Sequence, residues 1–367
     1  MDAEPPSPPL RRGWTTGTCA TAAARAAFTA LVTGGEFPDP VAVRLPGGER
    51  PAFALALTEA GDGFARAGVV KDAGDDPDIT HGALVVATVR RGAPGSGLTF
   101  LGGPGVGRVT RPGLPIPPGE PAINPVPREM MRWAIDEAAA ELGVPADAVI
   151  EISIPGGADL ATQTLNGRLG IVDGLSVLGT TGIVVPYSCA AWIHSIHRGV
   201  DVARASGLTH LAGATGHVSE EAARRFHSLS DLALIDMGDF AGGLLKYLRR
   251  HPVERVTIAG GFAKMTKLGQ GLLDLHSRRG AVDPGFIAAL AAEKGAPADL
   301  VARISGLPSA AEALVNANAV GFDLAGPVAD AAWKTAAKAL AGSGIVLDLL
   351  VTDRSGAVLA RTDFRRT

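Results

Sequence analysis

The residues whose types and spacing suit chemistry gather first in the run VVKDAGDDPDITHG, Val69–Gly82. Asp72, Asp75, Asp76 and Asp78 crowd together there, and His81 closes the group. Carboxylates this close repel one another unless a cation or arginines compensate. Three readings fit: a hard-cation site, a general acid or base with His81 as the best-suited member, or a solvated acidic turn. The spacing is not that of a calcium loop, because no bidentate glutamate follows at the right distance.

A second concentration of charge lies in LGGPGVGRVTRPGLPIPPGEPAINPVPREM, Leu101–Met130, where Arg108, Arg111 and Arg128 supply fixed positive charge. Six glycines and eight prolines fall within it, a density that neither a helix nor a central strand tolerates. The run therefore predicts a long irregular segment, anchored by Leu114, Ile116 and Ile123, that binds something anionic. A rigid surface connection is the plainer alternative. Earlier in the chain, Thr15, Thr16 and Thr18 precede an alanine-rich run. Such a turn aims N–H groups and hydroxyls at one point, which suits a carboxylate or phosphate as well as ordinary capping.

In the second half, three glycine-rich turns follow strand-like runs: AGATGH with Gly213, Thr215 and Gly216, MGDFAGG with Asp239, and AGGFAK with Gly260 and Gly261. Glycine turns in register at the carboxyl edge of a parallel sheet point to a nucleotide-like ligand, and Asp239 suits a ribose hydroxyl. No G-x-G-x-x-G is present, so the dinucleotide fingerprint is absent. Lys264, Lys267 and His276 lie just past a strand end and suit an anionic substrate. Cys189, His194 and His197 have a spacing that could face a metal, but the sequence places no further ligand, so they read as a partly exposed helix face. There is no P-loop and no Ser-His-Asp signature.

The elements that must position these residues follow from periodicity and punctuation. A helix is expected over roughly residues 18–32, closed by Gly34, then strands over 40–45, 53–59 and 84–89. A helix over 128–142 stops at Gly143, and a strand begins at Val149. Beyond Pro186 the composition changes to alternating strand and helix, the pattern of βαβ units on a parallel sheet. Residues 283–340 read as helical, and 344–362 as a hairpin around Arg354, Ser355 and Gly356. The expected domains are a disordered tail (1–10), an amino-terminal α+β domain (11–186) and a carboxy-terminal α/β domain (187–367).

Totals narrow the function classes. The 367 residues carry a net charge of −3, so no global basic field argues for nucleic acid, and an anionic ligand must be met by local arginines. Cys19 and Cys189 are the two cysteines, too few for a disulfide framework or a metal cluster, which fits a reducing cytoplasm. No apolar run is long enough to span a membrane.

Five co-linear blocks carry a resemblance: RRGWTTGTCATAAARAA, GDDPDITHG, GGPGVGRVTRPGLPIPPGEPAIN with PVPR, NGRLGIVDGLSVLGTTGIVVP, and the weaker GGFAKMTKLGQGLLDLHS. In this order they resemble the cobalt-precorrin-5B C(1)-methyltransferase family of anaerobic cobalamin synthesis. The resemblance implies methyl transfer from S-adenosylmethionine to ring carbon C-1 of a corrinoid precursor, giving cobalt-precorrin-6A. It implies a two-domain protein whose first domain looks like domain 2 of ribosomal protein S5, followed by a Rossmann-like parallel-sheet domain. On that reading Asp75, Asp76, Asp78 and His81 serve catalysis. Thr15, Thr16, Arg108, Arg111, Arg128, Lys264, Lys267 and His276 hold substrate, and Gly213, Thr215, Gly216, Asp239, Gly260 and Gly261 hold the methyl donor. No protein-bound metal, nucleic acid or membrane is expected, and a homo-oligomer is left open. A small-molecule kinase using GGPGVG as a phosphate loop and a non-catalytic tetrapyrrole carrier are the alternatives.

Overall fold

A computed structural model describes residues 9–367. The expected tail lies outside them apart from Pro9 and Leu10. The described chain is mixed α/β and divides into two compact units, one ending at Ser188 and one starting at Cys189.

The first unit opens with β1 (Gly13–Trp14) and α1 (Thr16–Thr33). Thr15 caps α1 by accepting from Thr18 N, and Gly34 ends it in the left-handed conformation at φ 83°. Alanines fill most of the buried face of α1, and their small side chains let the sheet and a second helix approach closely. Expected strand 40–45 shrinks to β2 (Val41–Ala42), and 53–59 splits between β3 (Ala52–Phe53) and β4 (Leu57–Gly61). Then come β5 (Phe64–Val70), β6 (Leu84–Arg91) and β7 (Leu98–Gly102), the last a strand hidden by the glycines around it. Together with β10 (Ala148–Ser153) they make a sheet of order β4-β5-β6-β10-β7, antiparallel except for the β10–β7 pair. Ala148, Ile150 and Ile152 alternate into the core, as a half-buried strand requires.

The glycine- and proline-rich run is more ordered than its composition predicts. It contains β8 (Gly105–Val106) and β9 (Arg108–Val109), and α2 (Pro125–Leu142) begins before Arg128. Pro125 and Pro127 sit in the first helical turn, where no intrahelical N–H bond is lost. After α3 (Gly157–Ala161) come β11 (Ile171–Val172), β12 (Gly174–Leu175) and β13 (Ile183–Val184). These pair with β9, β8 and β1 respectively. Val109, Ile116, Ala122 and Ile171 close a small core beneath.

The second unit starts with α4 (Cys189–Ala205), β14 (His210–Ala214), α5 (His217–His227), β15 (Leu234–Asp236), α6 (Ala241–Arg250), β16 (Arg255–Gly261) and α7 (Phe262–Gly269). Helices α8 (Pro284–Glu293), α9 (Ala298–Ser305), α10 (Ala310–Ala319) and α11 (Ala325–Leu340) follow. Last are β17 (Val346–Thr352), β18 (Val358–Arg361) and β19 (Arg365–Arg366). The sheet order is β15-β14-β16-β17-β18, with β15, β14, β16 and β17 parallel. β17 pairs with β18 as the expected hairpin, and it is also a parallel partner of β16 along the whole length of that strand. From β14 the chain moves outward to β15, then crosses to β16 on the other side of β14. That reversal makes the carboxyl ends of β14 and β16 a topological switch point, the place where ligands of open α/β sheets bind. Ile235, Val256, Ile258, Leu347 and Leu349 bury one sheet face in the main core. Ala212, Ala259 and Leu350 on the other face pack with Ala223 of α5.

Candidate functional site

In the first unit the acidic loop between β5 and β6 folds onto the segment leading into β1. A Cβ on Gly13 would lie 2.0 Å from the Ala73 carbonyl carbon, and one on Gly74 would lie 2.2 Å from the Arg11 carbonyl oxygen. The two backbones touch because neither glycine has a side chain. Gly74 also holds φ 69°, a left-handed value. Gly74→Ala is therefore expected to lower stability by about 1–3 kcal/mol, read as a lower urea midpoint with unchanged slope.

Each carboxylate of the loop has its own partner, which resolves their mutual repulsion. The Asp72 carboxylate receives both terminal nitrogens of Arg11 and, at 2.9 Å, the Gly74 N–H. These hydrogen bonds hold Asp72 down at about 2. Asp75 accepts from Arg11 N at 2.6 Å, and Asp76 accepts from Tyr187 N at 2.8 Å. Asp78 is paired with Lys71, a lysine 1% exposed, and accepts from Thr80 N at 2.8 Å. Burial pushes Asp78 upward, but Lys71 and Thr80 together hold it below the usual carboxylate range. His81 is exposed, and its Nδ1 accepts from Ala73 N at 3.1 Å. With Nδ1 accepting, the ring is left with Nε2 as its N–H donor.

The threonines before α1 are held by the protein itself. Thr15 N donates to Gly182 O at 3.1 Å, Gly17 N to Leu178 O at 2.8 Å, and the Thr18 hydroxyl to Gly182 O at 2.7 Å. Thr16 is buried. Burial pushes the Cys19 thiol up to about 12, which removes it as a nucleophile.

Among the loop arginines, Arg108 and Arg111 are exposed. Arg128 instead donates to Ile123 O at 2.8 Å and Pro121 O at 3.3 Å, and pairs with Glu120 at 2.8 Å. Its charge pins the loop to the start of α2. Gly105 of GGPGVG packs on backbone: a Cβ there would lie 1.9 Å from Ile154 O, and one on Gly174 would lie 2.5 Å from Gly105 C. Gly105 therefore serves packing, and the kinase alternative is not favoured.

In the second unit, all three glycine turns lead directly into α5, α6 and α7. Their glycines divide by what surrounds them. A Cβ on Gly213 would lie 2.2 Å from Leu244 Cδ2, and one on Gly260 would lie 2.5 Å from Met265 Cε, so both serve packing. Gly216 and Gly261 face open space at the β14–β16 switch point. Thr215 is buried, and its backbone N–H donates to Ala259 O at 3.0 Å across the two strands. Lys264 donates to Thr215 O at 2.9 Å and stands 3.1 Å from Asp239 Oδ1. That oxygen is buried and makes no hydrogen bond, and its charge is met by the Lys264 ammonium. The Asp239 side chain as a whole is partly exposed at the switch point, where a ligand hydroxyl is expected.

Lys267 and His276 take other positions. Lys267 is buried and donates to Leu275 O at 3.0 Å, holding the loop after α7. His276 is exposed, with Nδ1 accepting from Arg278 N at 3.2 Å. Cys189 is exposed, while His197 stacks on Tyr247 with ring centroids 3.9 Å apart.

The sequence model of CbiD matches residues 3–186, and that of the CbiD C-terminal domain matches residues 274–363. The chain belongs to the CbiD family. A Bradyrhizobium relative named cobalt-precorrin-5B C(1)-methyltransferase is 63% identical, covering 98% of this chain and 95% of its own length. The Agrobacterium fabrum protein of the same name is 63% identical over 96% of this chain and 93% of its own. A solved structure of the cobalamin biosynthesis protein (cbiD) from Archaeoglobus fulgidus aligns at 29% identity over 78% of this chain and 85% of that one, with a TM-score of 0.40. As a CbiD member the chain is an enzyme, a methyltransferase of cobalamin biosynthesis. Among its described residues no helix is long and apolar enough to cross a membrane.

Two residues central to the first-unit geometry escaped the sequence reading. Arg11 was hidden as one of a basic pair before a glycine, and Lys71 as a flank of the acidic run. The signal available was charge balance, since so many carboxylates in one loop demand cations nearby.

Proposed function

We propose that this CbiD chain methylates C-1 of cobalt-precorrin-5B with S-adenosylmethionine as donor, giving cobalt-precorrin-6A. The observation that carries this is the shared name of relatives 63% identical across nearly the whole chain. When bound, S-adenosylmethionine supplies a sulfonium-activated methyl group, which passes to C-1 while the bonding pair returns to sulfur. The protein's work is then to hold and orient its ligands and to exclude water.

We assign the donor to the carboxy-terminal unit, a Rossmann-like domain in this reading. Its Asp239 carboxylate, paired with Lys264, accepts a ribose hydroxyl, and Gly216 and Gly261 leave room at the same sheet edge. The amino-terminal unit, read as S5 domain 2-like, meets the carboxylates of the corrinoid with the exposed guanidiniums of Arg108 and Arg111. Arg128 and the Thr15 cap shape the surface around them, and His81 presents its Nε2–H as a further donor. Asp75, Asp76 and Asp78 fix the loop between β5 and β6 that carries His81.

Arg111→Ala is expected to raise KM for the corrinoid about tenfold or more, in line with loss of a charge-assisted contact, while leaving the melting temperature unchanged. If Arg111→Ala and Asp76→Ala both turn over normally, the amino-terminal assignment is wrong.

A further inference from the structure

We propose that His210, His227 and Asp348 form a binding site for a divalent transition-metal ion of the zinc type. One donor atom from each lies within 4.8 Å of the other two, and among the described residues this is the group of three such donors that converges. The three come from the first residue of β14, the last of α5 and the third of β17, elements fixed by the sheet and its covering helix.

Strand register explains the convergence. Ala212 pairs with Thr257, and Thr257 pairs with Asp348, so these residues share the sheet face that α5 covers. That face is apolar further along, with Ala212, Ala259 and Leu350 against Ala223. Asp348 is 2% exposed, and its charge is met by His227 Nε2 at 2.9 Å and the Thr257 hydroxyl at 2.5 Å. Among the described residues no lysine or arginine forms an ion pair with it. A buried carboxylate without a full cation is costly, and a bound dication supplies the missing charge.

The surroundings have the form of a ligand shell. Thr257 donates to Asp348 Oδ1 and stands 2.8 Å from His210 Nε2, so it orients two of the donors from behind. The other carboxylate oxygen, Oδ2, is left toward His227. Phe364 closes the cluster, with its ring centroid 5.5 Å from His210 and 5.4 Å from His227. The His210 ring lies edge-on to that of His227, with centroids 4.9 Å apart. Two imidazoles and one carboxylate select zinc-like ions over magnesium or calcium, which prefer oxygen alone. On binding, His227 takes the tautomer with its proton on Nδ1, and the ion takes the place of the Nε2 proton beside Asp348 Oδ2. The bound ion ties the end of α5 to β14 and β17, and so fixes the helix whose first turn follows Gly216. No step of methyl transfer passes through it.

The test uses the full chain, stripped with a chelator and titrated with zinc and, separately, magnesium by calorimetry. One zinc per chain, a raised melting temperature and no magnesium binding are expected. Cobalt(II) should add visible absorption at the same stoichiometry. Asp348→Asn and His227→Gln should each weaken zinc binding at least tenfold, in line with loss of one ligand. His227 lies at the edge of the cluster, so His227→Gln carries the comparison if Asp348→Asn does not fold. No zinc uptake by the native chain would overturn the proposal, as would uptake that is unchanged in the folded variants.

Discussion

Asp78→Ala is expected to lower the free energy of unfolding by about 3–5 kcal/mol, because it leaves the Lys71 ammonium buried without its partner. Lys71 is 1% exposed, so water cannot take over the lost interaction. Adding Lys71→Met to Asp78→Ala should recover most of the loss, since a matched apolar pair leaves no charge in the core. Urea unfolding of the two single variants and the double variant, as a cycle, checks this. Independent, additive losses would mean that the pair is not coupled. The same loop sets the acid limit of the unit. Asp78 and Asp72 are both held below the usual carboxylate range. Their contribution is therefore complete above the unfolded value of about 4 and fades as pH falls through the folded value. For Asp72 that folded value is about 2. Because Asp72 is 43% exposed, solvent screening keeps its share small, and Asp78 dominates.

Asp239→Ala is expected to weaken S-adenosylmethionine binding by about 2–4 kcal/mol, or roughly thirtyfold to several hundredfold. The reason is the partly exposed Asp239 carboxylate at the switch point: a ligand hydroxyl that reaches it gains a charge-assisted hydrogen bond. Lys264 keeps its bond to Thr215 O in this variant, so the melting temperature should change little. Gly261→Asn gives a second test at the same place. Asparagine is a good N-cap for α7, and a Cβ on Gly261 meets no neighbour, so the fold should tolerate it. Its side chain enters the open space there, and donor affinity should fall. Calorimetric titration measures both variants, and donor binding that matches the native protein in both would remove the ligand from this switch point.

Much of the second unit was legible because its elements are long and periodic. The alternation after Pro186 predicts the parallel order of β14, β15 and β16, and the glycine turns lie at their carboxyl ends as expected. What escaped was β17 as a fourth parallel strand: its pairing with β16 spans the helices between them, and no local pattern encodes so distant a partner. In the first unit, α1 was readable from its threonine cap and terminal Gly34. The glycine- and proline-rich run is irregular from Thr110 to Asn124, as its composition predicts, but its short strands β8 and β9 are not legible because glycines suit backbone-on-backbone packing as well as ligand approach. Gly105 and Gly174 show the first use, and only the fold separates the two. Site residues divide similarly. The acidic loop was visible as a charge problem, while its solution through Arg11 and Lys71 depends on long-range contacts. His210, His227 and Asp348 were out of reach for the same reason, since His227 and Asp348 stand 121 residues apart.

The most direct measurement is an anaerobic incubation of the purified protein with S-adenosylmethionine and cobalt-precorrin-5B, followed by mass spectrometry. Gain of one methyl group on the corrinoid, matched by an equal yield of S-adenosylhomocysteine, is the expected result. An unchanged corrinoid mass with active protein and both substrates present would contradict the proposed reaction.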